Sequence, residues 1–393
     1  MAPGRCFVWS GRAFSMSIVL VALLALLHWS HWSRSRGSFA PVPKGWTVSG
    51  NKSGSAAIKS LLVTVGPVQG SALPVPVPTL ASAPSPDMVC ADCRQLRDLT
   101  QVSPSADVPC AVVSMGSRDV DFYAFLVLAA SLRAAANFRG DIILMWFGEN
   151  EKEKKERKEM CKHRKVVKAL RLRIFCVFKP LKSKEIHSSI TGRSWDWVKL
   201  LSFTLTRFER CLFLDVDMLA NGNVDALFGS LWEEVPSATF AYAAGTKSLL
   251  NSGLFVFKPS MDDYSSLVNV VRNGAFSKKD GWNHAGVEQG KNNHWDECQG
   301  LLYYWFVQVP AETRAIEIPK ERFQAAPTDT GDIAIYHFAG RSKPCILSSM
   351  KGSGADFHNN ESSKSYQMWY GYFSKFVDAG AQAKLKALAK CSH

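Results

Sequence analysis

Between Cys211 and Asp217 the chain reads Cys-Leu-Phe-Leu-Asp-Val-Asp, an apolar run that stops on two carboxylates spaced i and i+2. In an extended strand alternate side chains share a face, so Asp215 and Asp217 project to one side. Two carboxylates held that close repel each other unless a hard cation stands between them. The alternative is a pair of solvated turn acids. A strand ending this way belongs at the mouth of a sheet, and the flanking sequence supplies the rest of one. Strands are expected at Ala111–Met115, Asp141–Phe147 and Leu172–Phe178, and helices at Phe122–Ala136, Glu151–Leu170 and Trp197–Phe208. Strands alternating with helices indicate an α/β fold, with a mostly parallel, Rossmann-like sheet covered by helices on both faces. In such sheets ligands bind beyond the carboxyl ends of the strands, where Asp215 and Asp217 stand.

The chain carries a formal charge of +13 over 393 residues, which points to an anionic partner. Of nucleic acid, a membrane surface and a phosphorylated substrate, nucleic acid is the weaker choice. The densest basic stretch, Lys152–Arg171, is interleaved with Glu151, Glu153, Glu156 and Glu159 and holds no aromatic residue for base stacking. It reads as the solvated face of a helix with i,i+4 ion pairs. A hydrophobic content of 47% excludes a disordered or fibrous chain.

The ends differ from the middle. Residues 1–13 form a short tail, and 14–32 an apolar segment closed by Trp29 and Trp32, read as a signal anchor or alternatively a cleaved signal peptide. Residues 33–108 are rich in Pro, Ser and Ala, with Pro-Val-Pro-Val-Pro at 74–78, as in an extended stem. Cys90-Ala-Asp-Cys93 lacks a second pair or a nearby His to complete a zinc site. It fits a disulfide, local or with Cys110, if the chain is luminal. Asn51-Lys-Ser and Asn360-Glu-Ser are glycosylation acceptor patterns. The expected address is the Golgi membrane, as a single-pass type II protein with a luminal globular part; secreted and cytosolic forms are the alternatives. The globular part runs over 109–345. The extension 346–393 contains an expected helix, Ser365–Ala389, whose Trp369, Tyr370, Tyr372, Phe373 and Phe376 dock on the domain.

Four further segments carry polar residues on the expected elements: Lys199-Leu-Leu, Asn251-Ser-Gly253 before an apolar strand, Gln299-Gly-Leu-Leu302 opening a helix, and His337-Phe-Ala-Gly340-Arg-Ser-Lys343-Pro344 after the strand Ile333–Tyr336. Together with Asp215-Val216-Asp217, in this order, they resemble the glycogenin-like retaining glycosyltransferases, glycosyltransferase family 8, over about Val112 to Cys345. The resemblance implies a GT-A type fold, a UDP-sugar donor, a Mn²⁺ (or Mg²⁺) ion, and hexosyl transfer with retention to a glycan, lipid or protein acceptor. It implies that Asp215, Asp217 and His337 hold the metal, with Asp217, Gln299 and Lys343 carrying the chemistry. Lys343 and the backbone of Gly340 would meet the diphosphate. Val113, Ser114 and Met115 would hold base and ribose, Lys199, Val216, Asn251, Ser252 and Gly253 would line the donor, and Gln299 would lie beneath the anomeric carbon. The family's aromatic over the base falls at Asp121 here, so Tyr123 or Phe122 is expected in its place. Cys298 stands where an acid is common, Tyr303 where an Asn is common, and no Asp lies between Gly245 and Asn251. Asp296, Glu297 or the loop Gly281–Gly286 would have to serve instead. The absence of an evident carboxylate nucleophile favours front-face transfer. The competing functions are a self-glucosylating primer protein, a catalytically silent sugar-nucleotide-binding module, and an Asp-x-Asp phosphatase; for the phosphatase the downstream acidic cluster is missing.

Overall fold

The computed structural model describes residues 99–104, 109–148, 163–190, 195–233, 235–244, 250–274, 276–277, 279–285, 297–310, 314–344 and 363–383. All of them belong to one compact unit. Among them no helix is long and apolar enough to cross a membrane. The apolar segment 14–32, the stem up to residue 98, Cys90 and Cys93, and both glycosylation patterns lie outside the described residues.

A seven-stranded sheet forms the centre, in the order β10-β6-β7-β4-β1-β2-β3. Its strands are β1 (Cys110–Gly116), β2 (Asp141–Phe147), β3 (Leu172–Val177), β4 (Arg210–Leu214), β6 (Phe240–Ala243), β7 (Leu254–Phe257) and β10 (Ala315–Ile318). The pairs β1–β2, β2–β3, β1–β4 and β6–β10 are parallel. Only β7 runs against its neighbours β4 and β6. This is the α/β class expected, with the mostly parallel sheet that the sequence indicated. A small antiparallel pair, β5 (Met218–Ala220) with β11 (Ile335–His337), continues beyond the end of β4.

Both faces of the central strands are buried, so their sequences are continuously apolar rather than alternating. On one face Val112, Leu144, Leu212 and Val256 pack beneath helix α1 (Asp119–Ala134) and the C-terminal helix. On the other, Val113, Ile143, Phe213 and Phe255 pack with Trp197, Phe203 and Phe306. Phe240 stacks on Phe306 with centroids 4.3 Å apart, and Phe213 on Phe255 at 4.9 Å. Each fully buried ring of this kind contributes roughly 1.5–3 kcal/mol relative to exposure. Short elements complete the order: α2 (Arg164–Ala169), α3 (Met261–Asn273), the hairpin β8–β9 (Phe276–Ser277, Gly281–Trp282), α4 (Cys298–Tyr303), α5 (Lys320–Phe323) and α6 (Lys364–Phe376).

Three expected elements differ. The helix expected at Trp197–Phe208 is a 3₁₀ segment, Asp196–Thr204. Ser202 Oγ donates to the Lys199 carbonyl at 2.6 Å and Thr204 Oγ1 to that of Leu201 at 2.7 Å, and such bonds to i−3 carbonyls favour the tighter coil. The strand expected at Ile333–Tyr336 is Ile335–His337, which brings His337 into the ladder. The C-terminal helix expected to run unbroken to Ala389 is interrupted after Phe376, where buried Val377 adopts an extended conformation, and helix resumes over residues 379–383, the last described. Asp378 Oδ1 then accepts the Ala381 N–H at 2.9 Å. Of the helix expected at Glu151–Leu170, the described part is α2. The aromatic residues of α6 do dock: Trp369 and Phe373 are buried, and Tyr370, Tyr372 and Phe376 pack against the same core.

Candidate functional site

Asp215 and Asp217 follow directly on β4. The Asp215 N–H donates to the Gly253 carbonyl at 2.8 Å, extending the β4–β7 pairing by one step past both strands. The chain then turns into β5, whose register sets Met218 opposite His337. Phe338 N–H donates to the Asp217 carbonyl at 3.0 Å. That ladder, rather than anything local, carries His337 across to the two aspartates. One ligand atom from each of Asp215, Asp217 and His337 lies within 4.8 Å of the others. The metal set expected from sequence is therefore assembled in space.

Three features fit a divalent cation. The donor set is two carboxylates and one imidazole, a mixed oxygen and nitrogen set suited to Mn²⁺ or Mg²⁺. Asp217 Oδ1 is buried without a hydrogen-bond partner among the described residues, 3.5 Å from His337 Nε2. An unsatisfied buried carboxylate oxygen is costly, and a cation removes the cost. Gly253 closes the other wall. A Cβ there would come within 2.9 Å of Asn251 Oδ1, 3.0 Å of His337 Cε1 and 3.1 Å of Asp215 Oδ2, so any side chain would fill the space beside the ligands.

Each aspartate has its own lysine. Lys199, buried, places Nζ 3.1 Å from Asp215 Oδ1 and 3.6 Å from Asp196 Oδ1. It also donates to the Ser252 carbonyl at 3.0 Å and to Ser252 Oγ at 3.2 Å. Burial alone would lower its pKa; the carboxylates of Asp215 and Asp196 outweigh that and hold the ammonium above its ordinary value. Burial raises the pKa of Asp215, Lys199 works against it, and Asp217 adds to the rise. Asp217 goes the other way. Burial would raise it, but the Lys343 ammonium in contact with its Oδ2, together with His337, holds it well below the carboxylate range. The site thus presents one strongly ionised carboxylate beside one that is harder to ionise. Lys343 sits just after a 3₁₀ turn, Gly340–Ser342, that Gly340 opens with φ 58° and open space around it. α6 anchors that turn, since Tyr366 Oη donates to the Ser342 carbonyl at 2.6 Å.

The polar residues expected on the donor side are linked to one another. Asn251 Oδ1 accepts the Gly253 N–H at 2.8 Å, shaping the turn before β7. The Ser252 N–H donates to Gln299 Oε1 at 3.3 Å, linking that turn to α4. Cys298 contributes no acid and is fully buried in the core; its N–H donates to Asp196 Oδ2 at 3.1 Å. Asp196 therefore ties Lys199 to the start of α4, a role absent from the sequence reading although its i,i+3 spacing to Lys199 is a visible signal. Of the other acids considered for the donor sugar, Asp296 lies outside the described residues and Glu297 is the N-cap of α4. Just after β9, Asn283 Nδ2 donates to Tyr304 Oη at 3.1 Å. Tyr303 packs edge-on against Tyr242.

At the end of β1 the arrangement differs. Val113 is buried in the sheet core, Met115 nearly so, and Ser114 Oγ donates to the Leu214 carbonyl at 2.7 Å, tying β1 to β4. Val216 is half-buried against the core. Tyr123 and Phe122 are not brought to the cluster. Both are buried, and Tyr123 meets the His163 ring edge-on at 5.3 Å with Oη 3.3 Å from Nε2. Asp121, at the family's aromatic position, accepts from the N–H groups of Ser117 and Arg118 at 3.1 Å and pairs with the Arg118 guanidinium at 2.6 Å.

No protein-family model matches the chain. Mouse glycogenin-1 is 30% identical over 156 residues, which cover 37% of this chain and 40% of that protein. An Arabidopsis thaliana protein named putative UDP-glucuronate:xylan alpha-glucuronosyltransferase 3 is 24% identical over 161 residues, covering 39% of this chain and 23% of its own length. The chain thus spans less than half the length of these curated relatives. Among solved structures, the galactosyltransferase LgtC in complex with donor and acceptor sugar analogues shares 10% identity, over 70% of this chain and 99% of LgtC, at a TM-score of 0.39. The resemblance to glycogenin-like glycosyltransferases read from the sequence motifs is met by these curated sequences.

Proposed function

We propose that this relative of the glycogenin-like glycosyltransferases transfers a hexosyl group from a UDP-sugar to a hydroxyl acceptor in a Mn²⁺-dependent reaction that retains the anomeric configuration. The observation that carries the reading is the Asp215, Asp217 and His337 cluster, with its unsatisfied Asp217 oxygen, set between two lysines. A cation bound there would supply charge for the oxygens of a departing diphosphate. Lys343, in contact with Asp217 Oδ2, stands beside the same site, where its ammonium would add positive charge for the leaving group. Lys199 holds Asp215 and the Ser252 turn in place from behind. Gln299 accepts the Ser252 N–H on its Oε1, which leaves its amide NH₂ as the donor it would offer the sugar. Asp196 is committed to Lys199 and to the Cys298 N–H, which leaves it poorly placed to attack the anomeric carbon. With no other nucleophile identified from the sequence, this favours front-face transfer, the acceptor attacking from the side the diphosphate leaves.

The apolar segment 14–32 supports the reading of a Golgi-membrane protein with its globular part luminal. The disulfide at Cys176 supports that address, since disulfides persist in oxidising compartments. It also favours a transferase acting on a glycan, lipid or protein acceptor over a cytosolic primer protein.

The test is UDP release by the full-length protein with a panel of UDP-sugars, with and without Mn²⁺. The expected result is metal-dependent turnover with one donor, abolished by chelation and in Asp217→Asn. Specific donor binding without turnover would instead establish a silent binding module.

A further inference from the structure

We propose that Gln324 is a positioning residue for the metal site: its side-chain amide turns over to accept the Nδ1–H of His337, leaving Nε2 for the cation. The inference rests on the metal reading above. His337 Nε2 faces Asp217, so Nδ1 is the nitrogen on the far side, and it lies 3.0 Å from Gln324 Nε2. With the amide in that orientation the NH₂ donates to Nδ1, and the ring proton of the neutral imidazole must sit on Nε2. That proton points at Asp217 and blocks the ligating lone pair.

The other half of the amide shows why this need not be the working state. Gln324 Oε1 is buried and has no hydrogen-bond partner among the described residues. Rotating the amide by half a turn exchanges oxygen and nitrogen, which are nearly the same size, and breaks no other bond of that side chain. The oxygen then accepts Nδ1–H, and Nε2 presents its lone pair to the cluster. The two orientations satisfy the amide equally, one bond each, so the occupant of the site decides between them. A cation held at Nε2 would take that lone pair, leave the ring proton on Nδ1 and so favour the orientation in which Gln324 accepts it.

The backbone holds Gln324 where this can happen. Its N–H closes the end of α5 on the Lys320 carbonyl at 2.8 Å. The next residue, Ala325, forms a bridge with Tyr336, donates to the Ile335 carbonyl at 3.1 Å and accepts the His337 N–H at 2.9 Å. Gln324 is thereby fixed beside the strand that carries His337. Partners on the far nitrogen of a metal-bound histidine set its orientation and basicity, and losing one typically weakens metal binding about 10–100-fold.

Mn²⁺ affinity measured by electron paramagnetic resonance on the full-length wild type, Gln324→Leu and Gln324→Glu tests this. Leucine removes the acceptor and should weaken binding about 10–100-fold. Glutamate accepts Nδ1–H in its only orientation and should bind Mn²⁺ as tightly as the wild type or more tightly. Rescue by glutamate separates positioning from mere packing. Equal affinity in the leucine variant, or equal weakening in both variants, overturns the proposal. If Gln324→Leu does not fold, Gln324→Met takes its place with the same expectations. A wild type that binds no Mn²⁺ would overturn the metal reading itself, a result distinct from a wild type that binds and is indifferent to Gln324.

Discussion

The carboxyl ends of β4 and β1 lie side by side in the sheet, yet they met expectation unequally. At the end of β4 the metal and lysine residues singled out from sequence arrive at one place: Asp215, Asp217, Lys199, His337 and Lys343. At the end of β1 the aromatic expected over a base is absent from the mouth. Tyr123 and Phe122 lie in the core, and the turn carries an Arg118–Asp121 pair instead. The difference is one of physics. A carboxylate at a strand end must find a cation or water, so its place is nearly determined. An aromatic ring is satisfied equally by a base or by a leucine, and helical spacing does not choose between them.

The contrast can be broken or sharpened by substitution. The largest effect should come from Asp217→Asn, which keeps the shape but removes the most strongly ionised ligand. Metal-dependent turnover should fall about 10³-fold or more, some 4 kcal/mol in the barrier, in a UDP-release assay. Residual activity near wild type would remove β4 from its central role. The same variant should alter acid stability. Because Asp217 is held below its unfolded pKa, its contribution is present above about pH 4 and is lost as pH falls through the folded value. The wild-type advantage over Asp217→Asn in urea unfolding should therefore shrink below about pH 4.

Lys199→Met tests the buried side of the cluster. It leaves Asp196 and Asp215 facing each other without their shared ammonium, and should cost about 3–5 kcal/mol in urea denaturation at neutral pH. The folded pKa of Lys199 is raised, so its stabilisation persists up to the unfolded value near 10.4 and is lost only as pH rises through the folded one. The deficit should therefore be constant from neutral pH to about pH 10. Gly253→Ala pushes a methyl against Asn251, His337 and Asp215, and should cost about 1–3 kcal/mol by thermal unfolding while lowering metal affinity. The smallest effect belongs to β1. Tyr123→Phe removes one buried bond to His163, worth about 1 kcal/mol, and should leave the KM for donor unchanged. A large rise in KM would mean that Tyr123 reaches the donor after all.

Legibility from sequence followed the same division. The alternation of apolar runs and helical periods was enough for the α/β class, and Asp215-Val-Asp217 marked the mouth. Asp196 was legible in principle, three positions before Lys199, but an acid that serves a lysine looks the same as a helix-surface acid. Gln324 carried no signal, because its contact with His337 exists only through the bridge from Ala325 to Tyr336. The break after α6 at Phe376 was hidden for a related reason: Val377 is buried by tertiary packing, which interrupts a helical pattern that resumes over residues 379–383.

The most direct test is Mn²⁺ titration of the full-length protein followed by electron paramagnetic resonance, with electron spin echo detection of coordinated nitrogen. The account predicts one tightly held ion per chain, a histidine nitrogen in its coordination sphere, and loss of that nitrogen signal in His337→Leu. An ion that binds equally well without His337, or shows no nitrogen ligand in the wild type, would contradict it.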